Sequence, residues 1–248
     1  MYARNLKIAS IIVTYNRVLE AKAQMDIVRE LWQPMFGRVD IYHEFNGKKS
    51  WYPQKYKEDF LCRHKPMSHY VGANYLLNQG FKHVLESGVK YDFIIATSAD
   101  TWFYDPKKLK DIILRCSRKR FQVATSLWFG VVLNTEFFII NPELAKKIFP
   151  LSFTHIINKY EPLKWAHTKI SIFESVFTLQ VLKVLKNPRK IYLIPGRRAI
   201  WLKNRFYSPN FYASHHDRQQ RKRDVSPRIT NILGDRLGNM PVLNKFLS

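Results

Sequence analysis

Two short apolar runs constrain this chain more than any other feature. Ile8 to Val13 and Tyr91 to Thr97 (YDFIIAT) are rich in β-branched and apolar residues and lack the alternation of a half-exposed strand. Such runs suit strands buried on both faces, as in a parallel sheet covered by helices. The intervening sequence supplies a helix. From Val18 to Leu31, apolar residues recur at helical spacing (Ala21, Met25, Val28, Leu31), and Pro34 follows. Val39 to Phe45 reads as a second strand, ended by the turn signal Asn46-Gly47. A strand, a helix and a strand in succession predict an α/β fold with a mostly parallel central sheet flanked by helices.

The rest of the chain continues this pattern. Residues 48–68, with Pro53 and Pro66, read as an irregular loop or insertion. Val71 to Glu86 is an amphipathic helix, with Ala73, Leu76, Leu77, Phe81, Val84 and Leu85 on one side. A helix is expected from Pro106 to Leu114, and strands at Val123 to Leu127 and Phe137 to Ile140. Asn141-Pro142 opens a helix from Glu143 to Ile148, with proline at a tolerated first-turn position. A helix at Ile172 to Leu185 and a short strand at Ile191 to Ile194 complete the pattern. The division expected is one domain over 1–217, with halves at 1–106 and 107–217. A basic C-terminal extension follows over 218–248, in which Ile229, Ile232, Leu233 and Leu237 form an apolar stripe.

Charge narrows the partners. The 41 Lys and Arg against 19 Asp and Glu give a formal charge of +22, which favours phosphate-rich ligands: a nucleotide, a nucleic acid or an anionic membrane surface. No zinc-finger, RRM, KH or helix-turn-helix signature occurs, and the basic residues are spread along the chain, so a nucleic-acid partner is the weaker reading. Cys62 and Cys116 are unclustered, and two such cysteines give no zinc spacing and no disulfide framework. The first apolar run is too short for a signal sequence, and no run approaches the ~18 residues of a membrane span. The expected location is cytoplasmic, with a basic surface suited to resting on a membrane.

Three groups of residues could carry chemistry. Ser98, Ala99 and Asp100 follow the Tyr91–Thr97 strand, where open α/β sheets bind ligands. A carboxylate there can hold a divalent cation against a diphosphate. It can equally serve as a cap for the next helix. Thr14, Tyr15, Asn16 and Arg17 end the first strand at the same edge, where the ring could stack on a nucleobase; an ordinary strand-to-helix turn is the plainer reading. Asn74 and Asn78, four apart, share one helix face and could bracket a ribose or a phosphate, or be surface amides.

In their order, IIVTYNR, IYHEFNG, GANYLLNQGFKHV and YDFIIATSAD resemble the N-terminal half of family-2-like GT-A glycosyltransferases, over roughly residues 6–106. TEFFIINPELAKKIFP is similar to their acceptor-side strand and helix. The resemblance implies a GT-A fold and transfer of a sugar from a nucleotide-diphosphate sugar to an acceptor hydroxyl. It implies inversion, and a glycan or glycolipid acceptor in cell-surface synthesis. It assigns donor binding to Thr14, Tyr15, Asn16, Arg17, Asn74, Asn78, Ser98, Ala99 and Asp100, and base recognition to Glu44. Leu77 stands where the family's helix motif has Arg, while Asn78 and Gly80 match. Ser98 stands in place of the first aspartate of the D-x-D motif, leaving Asp100 as its only carboxylate. A manganese or magnesium ion would then rest on Asp100 and on a C-terminal histidine, His215 or His216. SIFESVF resembles the region of the family's general base, which makes Glu174 the candidate and Glu136 its rival. A GT-A-fold nucleotidyltransferase is the remaining alternative; it needs a glycine-rich N-terminal loop, and VTYNRVLEAK has no glycine.

Overall fold

A computed structural model describes residues 5–67, 69–128, 132–151, 166–194, 212–213 and 226–247. The first run forms strand β1 (Lys7–Thr14) and passes directly into helix α1 (Val18–Ile27). The expected helix then tightens and loosens: a π turn covers Val28–Trp32 and a 3-10 turn covers Gln33–Met35, where Pro34 blocks further α-helix. Strand β2 (Arg38–Phe45) follows. Strand β3 (Phe60–Arg63), helix α2 (His69–Glu86) and strand β4 (Phe93–Ser98) come next, and the short β5 (Trp102–Phe103) leads into α3 (Pro106–Lys119). Strands β6 (Val123–Trp128) and β7 (Val132–Ile140), helices α4 (Pro142–Ile148) and α5 (Ala166–Leu185), and strands β8 (Ile191–Leu193) and β9 (Tyr212–Ala213) continue the order. Helices α6 (Ser226–Leu233) and α7 (Pro241–Leu247) end it.

The main sheet has 7 strands in the order β3-β2-β1-β4-β7-β6-β8. β1 pairs parallel with both β2 and β4, β2 with β3, and β6 with β8; β7 runs antiparallel to its neighbours β4 and β6. This is the mostly parallel, helix-flanked sheet expected of the two apolar runs. β1 shows why they are apolar throughout. Ile8 and Ile12 pack on one face with Met25 of α1 and Val28 of the π turn, while Ala9 and Ile11 pack on the other with Leu77 and Phe81 of α2.

Two elements differ from expectation. Part of the presumed loop at 48–68 is β3, a four-residue edge strand whose signal is pairing rather than pattern: Phe60 stacks on Tyr42 of β2 at 4.5 Å. β7 begins five residues before Phe137, through the polar Asn134, Thr135 and Glu136. Its polar groups are matched locally, since the buried Thr125 hydroxyl donates towards the carbonyls of Asn134 and Phe137, across a register shift between Thr125 and Leu127. The helices over 226–247 lie back on α1. Met240 and Leu243 are fully buried in the α1-side core, and Asp26 of α1 accepts from the Val242 and Leu243 amides at 3.2 Å, an acid at the start of α7. No described helix is long and apolar enough to cross a membrane.

Candidate active site

The chain leaves β1 to build β2 and β3 on one side, and β4 pairs on the other. The reversal of strand order between β1 and β4 makes their carboxyl ends a topological switch point, where neighbouring loops part and leave a crevice. Both ends carry the residues singled out from the sequence. Val13 pairs with Ser98, and the Ala99 amide donates to the Val13 carbonyl at 3.1 Å, so 14–17 and 98–100 leave the sheet side by side.

The pair at the centre of this crevice is ionic. Arg17 Nε lies 2.8 Å from Asp100 Oδ2. Asp100 is 4% exposed, whereas the Arg17 side chain is 34% exposed. Arg17 also reaches Glu20 at 3.7 Å, too far for a hydrogen bond, and its Nη1 donates no hydrogen bond within the described residues. A partly exposed guanidinium held by a carboxylate on one edge can meet phosphate oxygens with the rest of its donors. Ser98 Oγ and Thr101 Oγ1 share a hydrogen bond at 2.8 Å, and Trp102 Nε1 donates to the Glu20 and Ala99 carbonyls, which fixes the turn after β4.

The outer part of the crevice is aromatic. Tyr15 and Trp51 are each more than a third exposed, and their rings meet edge to face at 5.9 Å. Lys48 Nζ sits 5.5 Å from the Trp51 ring. Asn16 beside them is exposed. Gly47 makes this approach feasible: a Cβ there would fall 2.2 Å from the Tyr15 carbonyl oxygen and 2.7 Å from the Phe45 ring. Asn46 is buried, and its Oδ1 accepts no hydrogen bond within the described residues. Trp51, Lys48 and Asn46 escaped sequence reading because nothing in an irregular basic stretch distinguishes a ring that returns to the sheet edge.

The other expected residues are distributed as follows. Thr14 is buried and turned towards β2, where its hydroxyl lies 3.1 Å from His43 Nε2. Asn78 holds the backbone of Leu151 at both ends: it donates to the carbonyl at 3.1 Å and accepts from the amide at 2.8 Å. Its amide also reaches Asn74 Oδ1 at 3.3 Å. Both carboxylate oxygens of Glu44 lie against imidazoles, His83 Nδ1 at 2.8 Å and His64 Nε2 at 2.6 Å, and Glu44 is fully buried. Gly80 leaves room for Glu44, since a Cβ there would stand 3.2 Å from Glu44 Cγ.

Glu174 is buried on α5, and its Oε1 accepts from Thr135 Oγ1 of β7 at 2.8 Å. β7 pairs with β4 as far as Phe137 opposite Thr97, so Glu136 and Thr135, just upstream, come at the carboxyl end of β4. Glu174 therefore belongs to the same edge of the sheet as Asp100. The side chain of Glu136 is half-buried, and its amide donates to Asn134 Oδ1.

Residues 214–225, including His215 and His216, lie outside the described residues, as do Phe129, Trp165, Trp201, Phe206 and Tyr207. Without those histidines, the described residues at Asp100 do not amount to a divalent-cation site. Asp100 Oδ2 is taken by Arg17, and the one convergent set of three metal-ligating side chains among the described residues is elsewhere, at Glu44, Cys62 and His83.

A scan of known protein families finds no match for the chain, and no curated protein matches it. Solved structures do. The glycosyltransferase TarS of S. aureus, in a structure of its residues 1–349, aligns over 98% of this chain and 71% of its own, with 14% identity and a TM-score of 0.52. The glycosyltransferase GlyE of Streptococcus pneumoniae TIGR4 aligns over 77% of this chain with 16% identity and a TM-score of 0.42. The chain spans only 46% of GlyE. The fold is the GT-A-like fold of glycosyltransferases, an assignment that rests on the TarS likeness and on the sheet order.

Proposed function

We propose that the chain is a glycosyltransferase that takes a sugar from a nucleotide-diphosphate donor bound at the β1/β4 edge and passes it to an acceptor hydroxyl. The observation that carries this reading is the Arg17–Asp100 pair at the switch point of the sheet. Arg17 would supply positive charge to the diphosphate from its partly exposed side chain, with Asp100 holding the guanidinium in place. Helix α1 begins at Val18, beside this pair, and its N-terminus favours the same negative charge. The exposed Tyr15 and Trp51 rings offer a stacking surface for the nucleobase.

Transfer breaks the bond between the anomeric carbon and the diphosphate oxygen. Positive charge held beside the leaving oxygens stabilises that separation more than it stabilises the intact donor. Glu174 is the proposed general base: an ionised carboxylate that takes the acceptor proton as the hydroxyl attacks the anomeric carbon from the opposite side, which gives inversion. Thr135 would keep the carboxylate oriented through the bond to Oε1. A manganese or magnesium ion would add charge neutralisation at the diphosphate, and holding it would take His215 or His216 together with Asp100, whose Oδ2 already meets Arg17. The +22 charge suits an acidic glycan or glycolipid acceptor at an anionic surface.

The test is a thermal-shift panel of UDP-, GDP-, CMP- and dTDP-sugars, with and without manganese. A donor at a hundredfold excess over its dissociation constant adds about 2.7 kcal/mol to the folded state. A shift by one nucleotide family, lost in Asp100→Asn, supports the reading; no shift with any of them removes it.

A further inference from the structure

Glu44, Cys62, His64 and His83 are brought together on the α2 side of the sheet from β2, β3, the segment after β3, and α2. One oxygen of Glu44, one nitrogen of His83 and the sulfur of Cys62 lie within 4.8 Å of one another. His64 Nε2 lies 2.6 Å from the second Glu44 oxygen, Oε2. The proposed transfer chemistry uses none of the four.

We propose that this cluster is a zinc-class metal site, with Glu44, Cys62 and His83 as ligands and His64 as the outer residue that fixes the Glu44 carboxylate. Three observations support it. The first is burial: Glu44 is fully buried, and a buried carboxylate needs a compensating positive charge. The groups that meet its oxygens are imidazoles rather than the permanent cations Arg or Lys, and a divalent cation would supply fixed positive charge there. The second is ligand type: a thiol, an imidazole and a carboxylate together suit zinc or a similar borderline ion, not magnesium or calcium, which take oxygen ligands. The third is geometry. Zinc bonds of about 2.0–2.3 Å put tetrahedral ligands roughly 3.3–3.8 Å apart. Glu44 Oε1 and His83 Nδ1 stand 2.8 Å apart and would part by about 0.5 Å around a metal, and the Cys62 sulfur lies within 4.8 Å of the set, so side-chain adjustments of about 1 Å would close it.

In this arrangement Glu44 binds the metal through Oε1, the oxygen now facing His83 Nδ1, while His64 keeps its bond to Oε2. An acid that bridges a metal and an outer imidazole is a common way to orient a ligand. Water completes the shell, and the His83 side chain, 32% exposed, marks the entry side. A metal that binds the Cys62 thiol displaces its H+ as the metal–thiolate bond forms. The site would fasten the edge strand β3 to α2, the helix whose first half flanks the crevice.

The experiment uses the full chain stripped of metal and titrated with cobalt(II). The expected result is saturation at a single equivalent, with a near-ultraviolet thiolate-to-cobalt charge-transfer band and the strong visible bands of a four-coordinate ion, both removed by zinc. Cys62→Ser should lose the charge-transfer band. His83→Asn should lose the strong visible bands, and His64→Asn should keep the charge-transfer band with affinity weakened about 10- to 100-fold. Asp100→Asn should bind cobalt as the parent does, which separates this site from the donor site. Absence of the charge-transfer band in the parent protein overturns the proposal, and so does its persistence in Cys62→Ser. Should Cys62→Ser fail to fold, the parent spectrum and His83→Asn decide the matter.

Discussion

Asp100 and Glu44 are both buried carboxylates at the carboxyl edge of one parallel sheet, yet they sit in opposite chemical settings. Asp100 faces a guanidinium, a permanent cation with unmatched donors, at a crevice flanked by exposed rings. Glu44 faces two imidazoles and a thiol beneath α2. The sheet provides both positions, and the connecting segments decide the chemistry. The β1–α1 turn brings Arg17 to Asp100 at the switch point, and β3 and α2 bring Cys62, His64 and His83 to Glu44.

Four substitutions can sharpen or break this contrast. The largest effect is expected at Glu174. Glu174→Gln should lower the transfer rate by roughly 10²- to 10⁴-fold while sparing donor binding, as removal of a general base does; retained transfer in a rate assay would refute its role. Next is the ionic pair. Arg17→Ala leaves Asp100 without this counter-charge and removes the proposed phosphate contact. Loss of one partner of a desolvated charge pair costs about 2–5 kcal/mol, and the partial exposure of Arg17 points to the lower end, roughly 30-fold in donor affinity by calorimetry. Unchanged affinity would separate the pair from the donor.

Third, Glu44→Gln should leave donor affinity as it is and lower the melting temperature. Replacing one buried acceptor oxygen with a donor disturbs both imidazole contacts, for about 1–3 kcal/mol, or roughly 2–10 °C at this chain length. A loss of donor binding instead would merge the two regions into one site.

The smallest effect is expected at Glu58, a third buried carboxylate. Tyr52 and the Tyr56 amide donate to its Oε2, and His43, bonded to Thr14, is 3.9 Å from its Oε1. Burial alone would raise its carboxyl, but His43 and the backbone donors outweigh burial and hold it at about 2. A carboxyl lowered on folding stabilises fully above its unfolded value of 4.5 and loses that contribution as pH falls towards 2. The stability gap between the parent protein and Glu58→Gln, measured by urea unfolding, should therefore narrow across that window; a gap that widens with acid would show that Glu58 is not the ionised partner.

The two regions were not equally legible. The crevice was readable because its residues are close in sequence to two strand ends: Thr14 to Arg17 follow one apolar run, and Ser98 to Asp100 the other. Once strands are assigned and parallel order is assumed, such residues must lie at one edge. The Glu44 set was not readable in this way. Its partners are 20 and 39 residues away in sequence, and one of the joining elements is the four-residue β3, which has no pattern of its own. Asn78 was misleading for a related reason. Its spacing from Asn74 is that of a ligand-facing pair, but its amide is engaged by a backbone 73 residues away.

What the sequence determined by itself was the periodicity of burial, and through it the strands and the mostly parallel, helix-flanked sheet they form. That information is local, because burial on both faces leaves an apolar run without alternation. What the tertiary structure decided was which charge each edge carboxylate meets. A buried carboxylate is compatible with a guanidinium, an imidazole or a metal, and the choice depends on which distant segment is folded against it. No local pattern encodes that choice, because it is made only when the chain closes.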